Sequence, residues 1–165
     1  VKEVILQVGL RVEHLRRYPH SFSGGQRQRI GIARALVVRP KLVVADEPVS
    51  ALDVSVQAQI LNLLKDLQSE YKLTYFFITH AMNVVRYMCD RVAVLYAGRM
   101  VELGSKQSVL GAPKHPYTEA LLSSVPRANS RNRSKRIVST GQVPDLANLP
   151  TGCAFHPRCK YAIDR

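Results

Sequence analysis

Nowhere in the 165 residues is a glycine followed by a lysine, so the chain contains no G-x-x-x-x-G-K-[ST] loop to cradle phosphates. It also lacks any uncharged run approaching the roughly 20 apolar residues that span a bilayer. The longest candidate, residues 73–85, is too short and is interrupted by His80. No secretory signal opens the chain, which starts at Val1 rather than at Met. Cysteine is sparse: three residues, an odd number, argue against a disulfide framework and fit a reducing cytoplasm. Acidic residues number 12 against 24 basic ones, giving a net charge of +12. That excess permits nucleic-acid binding, but no nucleic-acid fold motif accompanies it, and nucleic acid is not expected as a partner.

What is present is enough for one soluble domain with a real core, at 46% hydrophobic and 22% charged residues. The most informative stretch runs from Ser23 to Asp53. It opens with SGGQRQRIGIARAL, passes through the apolar run LVVA and closes with DEPVSALD. Ser23 reads as a helix cap, with Gln26 three residues on completing a capping box. Ile30, Ala33, Leu36 and Val37 recur at helical spacing, which sets one apolar face. Gly24 and Gly25 fall in the first turn, where they weaken the helix but allow close approach to unpaired N–H groups. A helix N-terminus of that kind attracts anions such as phosphate. Read alone, the same stretch also suits a glycine-rich helix start without a ligand.

The run from Lys41 to Ala45 suits a strand buried on both faces. It ends in Asp46 and Glu47, followed by Pro48. Ligand sites in open α/β sheets lie beyond the carboxyl ends of parallel strands, which is where these carboxylates fall. Asp46 can hold a magnesium ion through oxygen, and Glu47 can orient or deprotonate a water. A solvated acidic turn is the plainer reading of the pair.

SGGQ, then QRIGIARAL, then a strand ending in DEP, then SALD together resemble the ATP-binding subunit of an ABC transporter. That resemblance implies an α/β P-loop NTPase fold. It makes Ser23, Gly24, Gly25 and Gln26 the signature motif, Asp46 the Walker B aspartate, Glu47 the catalytic glutamate and Asp53 the end of the D-loop. The family carries its phosphate loop and a glutamine-bearing loop upstream, so by resemblance this chain begins after both. It corresponds to the C-terminal part of a longer ATPase.

Elsewhere the pattern predicts a short amphipathic helix through Val4, Ile5 and Val8 that stops at Gly9. A basic connector follows to Phe22, where Pro19 ends any helix. A second long helix runs from the cap Asp53 to about Tyr71, with Val56, Ile60, Leu63, Leu64 and Leu67 inward. Thr74 to Thr79 reads as a strand parallel to the first, because a helix lies between them. This places His80 on the same sheet edge as Asp46 and Glu47, and by resemblance His80 is the switch histidine that contacts the γ-phosphate. The family usually has aspartate next, whereas this chain has Ala81. Met82 to Cys89 reads as a helix with Val84, Val85 and Met88 inward, and Cys89 as a small buried hydrophobe. Residues 91–96 and 99–103 form a hairpin around Ala97-Gly98. By resemblance the nucleotide-domain part spans 1–104, and 105–165 is an irregular extension.

Within that extension, Pro116 can open a helix because its missing N–H is not needed there. HPYTEALLSSVP and DEPVSALDVSVQAQI resemble the ATPases of oligopeptide and dipeptide importers. Arg127 to Arg136 holds five basic residues and no acid. It reads first as a solvated linker, and secondly as a contact for an anionic membrane surface. Cys153 and Cys159 sit in GCAFHPRC, and their spacing alone reads as free thiols. By resemblance the segment belongs to a cysteine cluster that can hold an iron–sulfur centre in a longer form. Two thiolates fall short of the usual four, and His156 is the only nearby third donor.

The resemblance therefore implies a subunit that uses ATP and Mg²⁺ to power peptide import from the cytoplasmic face of the membrane. Its partners would be a second ABC ATPase, transmembrane permease subunits and, indirectly, a substrate-binding protein. On its own this chain is expected to be inactive. A different reading makes it a non-catalytic assembly module that lends SGGQ to a partner's nucleotide.

Overall fold

The computed structural model describes residues 1–124 and 144–163. The chain forms two compact units, Val1–Val84 and Val85–Arg165.

In the first unit, helix α1 (Lys2–Gln7) buries Ile5 and leads into the fully buried Val8. Gly9 follows with φ +74, a left-handed value that glycine adopts without a steric penalty. The Arg29 guanidinium donates to the Val8 carbonyl at 2.6 Å, covering the end of this segment. Two 3-10 turns, Val12–Arg16 and Pro19–Ser21, make the connector. The first ends at Arg16, ahead of Pro19 as expected, and Pro19 itself opens the second, since the first position needs no N–H donor.

Helix α2 (Gly24–Leu36) starts on the anticipated capping box. Its buried side is Ile32, Ala33 and Leu36, with Ile30 half-buried and Val37 exposed. The apolar stripe is thus rotated from the one drawn through Ile30 and Val37, because Val37 is the C-cap and leaves the packed face. Strand β1 (Leu42–Asp46) pairs in parallel with β2 (Thr74–Ile78), in the register Leu42 with Thr74 through Asp46 with Ile78. Helix α3 (Val54–Tyr71) crosses between them, burying Ile60, Leu61, Leu64 and Leu67, while Val56 and Leu63 are half-buried.

The strands do not have two buried faces. Ala45 is buried and Val43, Tyr75 and Phe77 are half-buried on one side, but Leu42, Val44, Phe76 and Ile78 are exposed on the other. Among the described residues the pair has no further strand on either side, and only its face carrying Tyr75 is packed. Tyr75 anchors that side: its hydroxyl donates to the Leu64 carbonyl at 3.0 Å, and burial pushes its pKa up to about 12.

Helix α4 (Met82–Met88) carries Val84, Val85 and Met88 inward as its spacing predicts. Cys89, expected to be buried, is only half-buried, and burial together with the Asp90 charge pushes its thiol pKa up.

The second unit contains the hairpin of β3 (Arg91–Tyr96) and β4 (Arg99–Ser105). Its turn residues Ala97 and Gly98 both have positive φ, +48 and +73, as a two-residue hairpin turn that follows strand twist requires. A short helix α5 (Lys106–Gly111), which the sequence pattern did not indicate, is capped by Ser105 and buries Val109. Helix α6 (Pro116–Ser123) begins at Pro116 as expected. The cap His115 accepts from the Tyr117 amide through Nδ1 at 3.1 Å. The Glu102 carboxylate accepts from the Lys114 and His115 amides at 2.9 and 3.1 Å, setting a negative charge at the helix start.

Candidate functional site

Glu47 and His80 meet where β1 and β2 end. Parallel pairing sets Asp46 opposite Ile78 and lets both strands run out at one edge. There the chain turns sharply. Glu47 takes φ +43, rare for a side chain with Cβ, and its amide donates to the Ile78 carbonyl at 2.9 Å. Pro48 and Val49 are buried beneath the turn. The outcome is one hydrogen-bonded pair: Glu47 Oε1 lies 2.8 Å from His80 Nδ1.

Strand order sets His80 on the edge that carries Asp46 and Glu47, and the structure pairs it with Glu47. An ionised carboxylate only accepts, so His80 Nδ1 donates. That hydrogen bond holds the Glu47 carboxyl below its ordinary range, outweighing slight burial, with the charge of His80 and the nearby Ser50 hydroxyl adding to the effect. The side chains are 45% exposed for Glu47 and 76% for His80, so both remain reachable from solvent.

The signature residues form a second cluster. Ser23 Oγ accepts from the Gln26 amide at 3.3 Å, and Gln26 Oε1 accepts from the Ser23 amide at 3.1 Å. Ser23 keeps its hydroxyl proton to donate elsewhere, and the Gly24 and Gly25 amides have no intrahelical acceptor. The glycines also answer a packing need. A Cβ on Gly25 would lie 2.6 Å from Val56 Cγ1, and one on Gly24 would lie 3.4 Å from Leu52 Cδ2. The start of α2 therefore sits against the start of α3. Asp53 caps α3, accepting from the Val56 amide at 2.9 Å and from Ser55 Oγ at 2.7 Å. Those hydrogen bonds, the Val56 amide first, hold the Asp53 carboxyl below its usual value.

Sequence reasoning passed over two residues here. Ser50 donates from Oγ and from its amide to the Glu47 carbonyl, at 3.1 and 3.3 Å. Thr79 Oγ1 accepts from the Ala81 amide at 3.1 Å, so the turn after His80 is capped from in front. Hydroxyl residues flanking a strand-end carboxylate and histidine were the available signal.

Asp46 is an exposed oxygen donor beside this pair. A magnesium ion commonly takes one or two carboxylates with phosphate oxygens and waters, so a single aspartate fits it. Among the described residues no group of three or more His, Cys, Asp and Glu side chains is placed to hold a metal ion. An iron–sulfur centre does not fit the cysteines. Cys153 is exposed, Cys159 is half-buried, and two thiols do not make a four-thiolate set. His156 Nδ1 lies 3.0 Å from the Cys153 carbonyl, an acceptor, so that nitrogen carries the proton. The basic run Arg127–Arg136 lies outside the described residues.

Comparison with known proteins settles the family. The ABC transporter model matches residues 1–50, and the model for the oligopeptide/dipeptide transporter C-terminal region matches residues 101–165. The chain belongs to the ABC transporter family. The oligopeptide transport ATP-binding protein AppF of Bacillus subtilis is 57% identical over 164 residues, covering 98% of this chain and 50% of AppF. The dipeptide transport ATP-binding protein DppF of Escherichia coli is 55% identical over 157 residues, covering 95% of this chain and 47% of DppF. The chain thus spans about half the length of the curated relatives it matches.

Among solved structures it resembles two ABC-family domains. One is the ATP-binding cassette MJ0796 in a dimeric post-hydrolysis state with ADP and Pi: TM-score 0.54, 35% identity, 62% of this chain and 44% of that one. The other is the ADP conformation of the cassette MJ1267: TM-score 0.59, 27% identity, 72% of this chain and 47% of that one. The mixed α/β fold of this chain is that of part of an ABC ATPase domain.

Proposed function

We propose that this chain forms the C-terminal part of an ATP-binding and ATP-hydrolysing subunit that energises peptide import through an ABC transporter. The observation that carries the reading is the 2.8 Å Glu47–His80 pair at the open edge of two parallel strands. Glu47, ionised at neutral pH, has one oxygen engaged by His80 and a second with which to polarise a water. His80 fixes the direction of the carboxylate and reads the γ-phosphate. Asp46 would hold Mg²⁺, which would supply positive charge against the phosphates. Ser23, Gly24, Gly25 and Gln26 offer a hydroxyl proton and helix-start amides to nucleotide held by a second ATPase subunit, and Asp53 fixes the neighbouring turn. In this chemistry positioning and electrostatics account for most of the rate.

Permease subunits and, through them, a substrate-binding protein complete the assembly at the cytoplasmic face of the membrane. No described helix is long and apolar enough to cross a membrane, which suits a peripheral subunit. Without a phosphate loop, purified chain alone does not turn over ATP, and turnover abolished by Glu47→Gln would overturn that. The missing loop also favours a second reading, a non-catalytic module that lends its signature turn. A G-x-x-x-x-G-K-[ST] loop on the same polypeptide decides against that module.

The reading itself is tested in the assembled transporter. Glu47→Gln should slow hydrolysis by ~10²-fold or more while ATP is still bound, as expected for losing a water-orienting carboxylate. His80→Ala should act likewise. Normal turnover in either variant would mean that its role is misassigned.

A further inference from the structure

The turn that aims Glu47 is held from its carbonyl side by a residue outside the Glu47–His80 pair. Glu47 occupies left-handed backbone, φ +43, which a residue with Cβ holds only when its surroundings over-determine it. One side is fixed by its amide, which donates to the Ile78 carbonyl at 2.9 Å. The other side is fixed by Ser50, whose amide and hydroxyl both reach the Glu47 carbonyl, at 3.3 and 3.1 Å. The amide contact survives Ser50→Ala, whereas the hydroxyl contact does not. Ser50 itself is exposed and the residues before it, Pro48 and Val49, are buried, so the hydroxyl is not needed to fill the core.

We propose that Ser50 is a positioning residue, holding the left-handed turn from which the Glu47 carboxylate reaches His80. The proposal rests on the catalytic reading of Glu47. Losing one neutral hydrogen bond that matters in the transition state corresponds to about a fivefold rate effect. In the assembled transporter, Ser50→Ala should therefore lower kcat about fivefold and leave the KM for ATP unchanged. Ser50→Thr, which keeps the hydroxyl, should restore the rate.

The deciding measurement is a double-mutant cycle. If Ser50 acts through Glu47, then Ser50→Ala adds no loss to Glu47→Gln in single-turnover hydrolysis. An equal loss on top of Glu47→Gln, a change in KM alone, or an unaltered kcat would each overturn the proposal. Thermal melting of the Ser50→Ala subunit, expected to be unchanged, separates positioning from unfolding. If Glu47→Gln hydrolyses ATP at the normal rate, the catalytic reading has failed and the Ser50 proposal falls with it. If Glu47→Gln is slow and Ser50→Ala is not, only the Ser50 proposal falls.

Discussion

In residues 1–84 one face of the strand pair β1–β2 leaves Leu42, Val44, Phe76 and Ile78 43% to 61% exposed. In residues 85–165 the buried face of β3–β4 ends in Tyr96, over which Tyr117 and Phe155 close, with ring centroids 4.6 and 5.2 Å away. Ala154, also buried, joins that cluster, and Leu149 and Cys159 pack against it. The difference follows from strand direction. An antiparallel hairpin with one packed face is a stable arrangement, and its outer residues Leu95, Met100 and Leu103 stand in water as such a sheet allows. Parallel strands are normally covered on both faces, so an open parallel pair is one layer of an arrangement that has more. The unit that holds the Glu47–His80 pair is the unit with the uncovered sheet. The unit with the aromatic cluster explains its own family motif: His115, Pro116 and Tyr117 cap the helix, open it and face Phe155.

The contrast can be broken most sharply at Phe155. It is 2% exposed, and Phe155→Ala should cost about 3–5 kcal/mol, as for other buried Phe truncations. Amide hydrogen exchange should show the loss in β3, β4 and α6. Unchanged protection there would mean that the aromatic cluster does not hold the second unit together.

Gly25→Ala comes next. The new methyl meets Val56 at 2.6 Å, so about 1–3 kcal/mol of overpacking is expected in chemical denaturation. Val56→Ala in the same chain should recover most of it. A neutral Gly25→Ala would show that the glycine serves ligand approach rather than packing.

A smaller effect is expected from acid. The Asp53 carboxyl is depressed in the folded chain, so its cap contributes stability above the ordinary Asp value and loses it as pH falls through the lowered one. Helical circular dichroism of Asp53→Asn should consequently fall less between neutral and strongly acid pH than that of the native chain. Identical acid profiles would remove the cap from the account.

Phe76→Ser is the smallest and the direct counterpart of Phe155→Ala. At 60% exposure its stability effect in this chain should lie within about 0.5 kcal/mol, with self-association reduced. A loss comparable to that of Phe155→Ala in thermal melts would show that the open face is covered in solution.

Local chemistry made much of this legible. The Ser23–Gln26 capping box, the Asp53 cap, the helical start at Pro116 and the turn at Ala97-Gly98 depend on a few adjacent side chains and backbone angles, and sequence spacing specifies those directly. Parallel pairing followed from a helix lying between two strands, and with it the placing of His80 on the sheet edge of Asp46 and Glu47; that His80 pairs with Glu47, 33 positions away, came from the structure. The resemblance of SGGQ, DEP, SALD and HPYTEALLSSVP to ABC ATPase motifs pointed to the family from sequence alone.

Tertiary structure decided what depends on surfaces meeting. Apolar content in β1 could not reveal that Leu42 and Val44 stand in water, because burial depends on the neighbouring layers and not on the strand's own residues. The packing need at Gly25 comes from Val56, 31 positions away, and the aromatic cluster joins Tyr96 to Phe155. Nor could spacing show that Glu47 adopts left-handed backbone with Ser50 at its carbonyl. That conformation is unfavourable locally, and only the hydrogen bonds around it and the buried Pro48 and Val49 make it the one the chain takes.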